Sequence, residues 1–247
     1  MYSDETRSMN ILGLKVDNIT MAESLDFVKN VIADQGYARI LTLNAEIAYL
    51  SSKDKKQGEL VNGADLVTPD GAGIMWASQH YGAPITERVS GVDLTERLLS
   101  LSQAEGYSFY CLGAKEETVS LAVKNMATKY GAKIAGYHNG YFSWDDSAAI
   151  VEDIKKSHAN ILLVAMGFPR QDLWLKEFGP ECGVNIGIGV GGSFDVFAGL
   201  IKRAPQIWQQ LRLEWLYRLL KDPRRFKRTL NLPRFMRDVK RDIRSKR

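Results

Sequence analysis

The sequence predicts an α/β fold: a mostly parallel sheet flanked by helices, with a C-terminal amphipathic helical appendage. Three observations predict it. Short apolar, β-branched runs alternate with stretches of helical periodicity as far as about Gly199, the pattern of strand–helix–strand units with both sheet faces covered. Polar and glycine-rich junctions recur where these runs end and helices begin, at the strand ends where open α/β sheets bind ligands. Beyond Gly199 the strand pattern stops, and Ile207, Leu211, Trp215 and Leu219 recur at four-residue spacing, one face of a helix. The expected organisation is a polar tail over 1–8, a Rossmann-like core over 9–199 and a basic helical appendage over 200–247.

Thr20-x-x-Glu23 is a capping box and predicts a helix to about Asp34, with Leu25, Val28 and Ile32 on one face. The run 38–43 reads as a strand, and Asn44 starts a helix. A short strand at 65–68 meets Pro69-Asp70-Gly71, which turns the chain into a helix through Met75 and Trp76. Further strands are predicted at 108–112, 133–137, 161–165 and 184–188, and helices at 92–104, 116–130, 147–157 and 171–178. Pro223 and Pro233 are predicted to break the appendage into about three short helices.

A chain of 247 residues, 45% of them apolar, can bury a full core. Cys111 and Cys182 lie far apart in apolar runs, without metal-ligand spacing, and read as buried thiols. Residues 1–8 lack the apolar core of a signal peptide. The apolar stretch 183–201 is too dense in glycine for a membrane span and reads as a strand followed by a loop. Charge is segregated: residues 201–247 hold 16 Lys and Arg against four acids, net +12, so the first 200 residues carry −8 within a total of +4. Trp208, Trp215, Tyr217, Phe226 and Phe235 accompany these cations. That mixture suits a polyanionic surface, either a membrane leaflet or a nucleic acid.

The junctions hold the candidate chemistry. Thr42 and Asn44 place a hydroxyl and an amide at a strand end, where Asn44 also reads as a helix cap. Asp70 reads first as an N-cap, the role its position favours; it could also serve as a general base, since a carboxyl titrating near ~3.9 is ionised at neutral pH. Gly113, before a helix, allows backbone N–H groups to approach a phosphate. Gly167-Phe168-Pro169-Arg170-Gln171 repeats that layout. Gly187 to Asp195, with Gly191 at its centre, suggests either close backbone approach to a ligand or tight packing at mid-sheet. His80, His138 and His158 show no metal spacing, and Asp145-Asp146 reads as a helix start. There is no nucleophile elbow, no Walker loop and no dinucleotide fingerprint.

In order, the junctions are Thr42-x-Asn44, 64–71 (ADLVTPDG), 88–94 (RVSGVDL), 112–115 (LGAK), 136–142 (GYHNGYF), Gly167-x-Pro169-Arg170-Gln171, 189–195 (GVGGSFD), Arg203-Ala204-Pro205 and 213–219 (LEWLYRL). This series resembles the WecG/TagA/CpsF glycosyltransferases from about Asn10 to Phe235. The resemblance implies an inverting, metal-independent transfer from a UDP-sugar to a polyprenyl-diphosphate-linked sugar at the cytoplasmic membrane face. In the TagA branch the donor is UDP-N-acetylmannosamine and the acceptor is lipid-linked GlcNAc, an early step of wall teichoic acid synthesis. The implied catalytic acid is Asp70. Thr42, Asn44, Arg88 and Gln171 fall on substrate positions, and Asp195 on a nucleotide contact. The family's appendage is expected to dock on an anionic membrane and supply arginines, here Arg218, Arg225 and Arg228. A family glycine before Leu213 is replaced by Arg212.

The expected mechanism is a single in-line displacement, with helix N-termini and arginines compensating the leaving UDP. No cofactor or metal is implied. Removing the tail is expected to reduce turnover and leave the body folded. An exposed apolar appendage face also predicts self-association away from membrane. The nearest alternative keeps this chemistry with another UDP-hexose such as UDP-glucose. A nucleic-acid-binding role for the basic tail is the alternative of another class.

Overall fold

The computed structural model describes residues 8–202, 204–205, 208, 216–217, 219 and 230–246. Its centre is a six-stranded sheet of β3 (Ala38–Leu43), β4 (Leu66–Pro69), β5 (Ser108–Gly113), β6 (Lys133–His138), β7 (Ile161–Ala165) and β8 (Ile186–Gly189). The strand order is β4-β3-β8-β7-β5-β6, and every neighbouring pair is parallel.

Side-chain alternation divides the core between the faces. Ile40, Phe109, Cys111, Leu163 and Ile188 point to one side. They meet α1 (Met21–Ala33), α5 (Gly91–Glu105), α6 (Glu116–Tyr130) and α9 (Ser193–Phe197). On the other side, Leu41, Leu43 and Val67 pack against α2 (Ala45–Ser51) and α4 (Gly71–His80), with α3 (Lys55–Asn62) beyond. Tyr110, Leu112, Leu162 and Val164 meet α7 (Ser147–Ser157) and α8 (Arg170–Phe178) on that same side.

Strands 38–43 and 161–165 and helices 116–130 and 147–157 fall on their predicted boundaries. The inward stripe of α1 differs from the predicted one: Ser24, Phe27, Val28 and Val31 are buried, and Leu25 and Ile32 only partly so. Ser24 tolerates a core position because its hydroxyl donates to Thr20 O at 2.8 Å. The sequence pattern predicts no strand before residue 38. The structure places there a hairpin of β1 (Ser8–Ile11) and β2 (Leu14–Asp17). Its two-residue turn has φ of 54° at Leu12 and 84° at Gly13, and Asn10 Oδ1 accepts from Gly13 N–H at 2.8 Å. Asp17 Oδ2 accepts from Val67 N–H at 2.7 Å, so the hairpin covers the open edge of β4.

Pro223 lies outside the described residues, while Pro233 stands at a helix boundary. It lies in the first turn of a 15-residue helix, α10 (Asn231–Ser245), where its missing N–H has no intrahelical partner to lose. It opens that helix and does not break it. The apolar stripe of α10 joins the core, with Phe235 and Val239 fully buried beside α2 and α4. Polar contacts latch it there. Lys53 pairs with Asp238 at 2.7 Å, and the Tyr81 hydroxyl donates to Asp242 at 2.7 Å. Among the described residues, no helix is long and apolar enough to cross a membrane.

Candidate active site

All six strands run the same way, so their carboxyl ends form one edge. Thr42, Asn44, Asp70, Gly113, Gly191 and Asp195 lie along it, on the last residues of strands or just past them. The β3–β4 corner is the most tightly joined part. Asp70 N–H donates to Leu43 O at 2.9 Å, and Val89 N–H donates to Pro69 O at 2.9 Å. Main-chain bonds thereby bring the segments carrying Thr42 and Asn44, Asp70, and Arg88 together. Gly71, at φ 82°, makes the turn from β4 into α4 in a region that disfavours a side chain.

Asp70 stands at the N-cap position of α4, yet its side chain makes no capping hydrogen bond. The role that the sequence favoured for it is therefore not realised. Asn44 does cap α2: its Oδ1 accepts from Glu46 N–H and Ile47 N–H, each at 3.0 Å. With the oxygen engaged in the cap, the NH2 group is the side chain's remaining polar end. Thr42 lies under the start of α5, where a Cβ on Gly91 would come within 3.3 Å of the Thr42 hydroxyl. Arg88 pairs with Asp93 at 3.1 Å. Asp93 also accepts the Ser90 hydroxyl at 2.5 Å, which fixes the guanidinium at the first turn of α5.

Next along the edge are the turns after β8 and β7. Gly191 and Gly167 have φ of 49° and 78°, and both N–H groups donate to Gln171 Oε1, at 3.0 and 3.1 Å. Gln171 is only 4% exposed, so it ties two turns together from beneath. The glycines of β8 answer the packing alternative: a Cβ on Gly189 would lie 2.5 Å from Gln171 Nε2, and one on Gly187 2.7 Å from Leu175 Cδ2. They let α8 lie close on the sheet. Asp195 belongs to the first turn of α9, and a Cβ on Gly192 would be 3.7 Å from its carboxylate. Gly113, at φ 131°, passes against the Ala165 carbonyl. It is three strands from β3, roughly 14 Å at ordinary strand spacing, and so lies on the far half of the edge from Asp70.

Two features escaped the sequence reading. Arg39, 3% exposed, and Asp172, 1% exposed, face each other beneath Gln171 at 3.9 Å. Burial pushes the Asp172 carboxyl up to about 6 against the opposing pull of Arg39, and burial lowers the Arg39 guanidinium. The sequence signal was an arginine inside an otherwise apolar strand. The second feature is Leu232 of α10, which would lie 3.1 Å from a Cβ on Gly73 and so brings the C-terminal region next to Asp70. Arg218, Arg225, Arg228 and Arg212 lie outside the described residues.

The carboxyl edge of the sheet thus gathers an acid, an amide, a guanidinium paired with Asp93 and several glycine turns, and comparison with known proteins gives the class of the chain. A family model described as "Glycosyl transferase WecG/TagA/CpsF family" matches residues 9–247. The chain belongs to that family and is a glycosyltransferase. It is 33% identical over 233 residues to the N-acetylglucosaminyldiphosphoundecaprenol N-acetyl-beta-D-mannosaminyltransferase of Staphylococcus aureus strain MW2, covering 94% of this chain and 91% of that relative. Strain MRSA252 has a relative of the same name, 32% identical over the same shares.

Proposed function

We propose that this enzyme transfers N-acetylmannosamine from UDP-ManNAc to undecaprenyl-diphosphate-linked GlcNAc, with inversion and without a metal, at the cytoplasmic face of the membrane. The product would feed a wall teichoic acid linkage unit or a related surface polysaccharide. The observation that carries this reading is the placement of Asp70. It sits at the carboxyl end of β4, bonded through its main chain to Leu43 and next to the Arg88 segment, and it does not cap α4.

In this mechanism Asp70 takes the proton of the acceptor hydroxyl as that oxygen bonds to the anomeric carbon. The bond to UDP breaks on the opposite face, and the electron pair leaves with the diphosphate. Thr42, the Asn44 amide and Arg88 hold the sugar. Gly191, Asp195 and Gly113 line the path of the nucleotide, and Gln171 sets the turns under it. The growing charge on UDP is met by helix N-termini and by Arg88, Arg218, Arg225 and Arg228, which act by preorganised electrostatics. The exposed side of α10 supports membrane attachment: Arg237, Lys240, Arg241 and Arg244 line a groove of about 550 Å³ with Pro233 and Met236. Each cation near an anionic leaflet contributes roughly 1 kcal/mol.

The test is transfer from UDP-ManNAc to a lipid-diphosphate-GlcNAc analogue, comparing wild type with Asp70→Asn. Wild type should transfer, and the variant should lose on the order of 10²–10⁴-fold in turnover. Activity with UDP-glucose alone would keep the mechanism and change the sugar. No transfer from any UDP-sugar in the presence of membrane would overturn the reading.

A further inference from the structure

We propose that Arg39 and Asp172 form a positioning pair that sets the spacing of the two glycine turns beneath the donor diphosphate. The inference rests on the transfer reading above for what occupies those turns, but the pair itself is a matter of geometry.

Gln171 Oε1 is the shared acceptor of Gly167 N–H and Gly191 N–H, so the separation of the β7 and β8 turns depends on which way that amide faces. An amide in a pocket can flip, and its neighbours decide between the two orientations. The two glycine N–H groups favour the oxygen on their side, and Asp172 is the charged neighbour on the other, its carboxylate oxygens buried without a hydrogen-bond partner of their own. Its Oδ1 and Gln171 Nε2 converge on one point of the sheet, 3.0 and 2.5 Å from the position of a Cβ on Gly189. An ionised carboxylate there attracts the NH2 end of the amide and repels its oxygen, which leaves the oxygen turned to the two glycines.

Arg39 keeps the carboxylate charged in a place where burial opposes charge. It is itself held rigidly. Its Nη2 donates to Leu60 O at 2.7 Å, and its main-chain N–H donates to Asp65 Oδ2 at 2.8 Å. The cationic end is thus fixed between β3 and α3, and the anionic end lies on α8. Arg39 and Asp172 are both buried beneath the edge, so the pair acts through Gln171 and neither residue is catalytic.

The test uses two variants of the full chain. Asp172→Asn keeps volume and removes one charge. Arg39→Met combined with Asp172→Leu removes both, a replacement that buried ion pairs commonly tolerate without loss of stability. Two quantities are read: hydrogen exchange at the Gly167 and Gly191 amides in the ligand-free protein, and KM and kcat for the UDP-sugar. The proposal expects faster exchange at both glycines in both variants. It also expects KM for the donor to rise about ten-fold, the worth of roughly one hydrogen bond, with kcat within about two-fold. A double variant with both amides as protected as in wild type overturns the proposal. So does one with loosened amides and an unchanged KM. Wild type that transfers no sugar would sink the functional reading alone, because amide exchange still decides whether the pair holds the clamp.

Discussion

Leu232, in the first turn of α10, packs against Gly73, in the first turn of α4. A Cβ on Gly73 would lie 3.1 Å from Leu232 Cδ1 and 2.6 Å from the Ala45 Cβ. Three helix beginnings therefore converge beside Asp70, those of α2, α4 and α10. Within a helix, replacing glycine by alanine ordinarily stabilises by about 1 kcal/mol. Here the sign should reverse. Gly73→Ala should lower stability by about 1–3 kcal/mol, because the Ala45 Cβ cannot yield without its backbone, and turnover should fall with it. Urea unfolding checks the sign, and a stabilised variant would show that the helices do not meet this closely.

The burial of Phe235 changes what removal of the tail should do. Its side chain is wholly enclosed with Val239 among residues of α2, α4 and the β1–β2 hairpin. Phe235→Ala should cost about 3–5 kcal/mol, and a truncation at Leu230 should uncover that whole apolar face. The truncated chain should then unfold at distinctly lower urea than the full one, or associate through the exposed surface. A truncated chain as stable as wild type would return the last helix to the status of a separable appendage.

The parallel sheet was legible because its strands are short apolar runs between clear stops, as at Ala38–Leu43 and Ile161–Ala165. The β1–β2 hairpin was not, since its turn is Leu12-Gly13 and lacks the usual Asn-Gly signal. The strand-end candidates were legible by position. The cap reading of Asp70 is what fails: an aspartate before a helix normally caps it, and Asp70 does not. Gln171 could be placed at the site but not oriented: that it faces inward to tie Gly167 and Gly191 depends on a contact between turns 20 residues apart. The Arg39–Asp172 pair spans β3 and α8: an arginine inside an apolar strand marks one end of it, but nothing local marks Asp172 as its partner.

The same pair carries a pH signature in stability. The Asp172 carboxyl is raised from 3.8 to about 6, so the folded chain holds that proton more tightly than the unfolded one. Its contribution is therefore full below the unfolded value and is lost as pH rises towards 6. Asp172→Asn cannot titrate. The stability of wild type relative to this variant should be greatest near pH 4 and decline by up to roughly 3 kcal/mol by pH 7. Urea unfolding of both proteins across that range measures it. A difference that stays constant or grows with pH would show that the carboxylate is not desolvated in the folded state.

Asn44 offers a way to separate capping from substrate binding in one residue. Its oxygen caps α2, and aspartate is about as good a cap as asparagine, with the helix dipole favouring the added negative charge. Asn44→Asp should therefore melt within about 1 kcal/mol of wild type. The substitution nevertheless exchanges the NH2 donors for a carboxylate beside Asp70. If Asn44 donates to the sugar or the diphosphate, turnover should fall by at least about ten-fold, the loss of one hydrogen bond compounded by like-charge repulsion. Asn44→Ala should lose both stability and turnover. Full activity in Asn44→Asp would confine this residue to its cap.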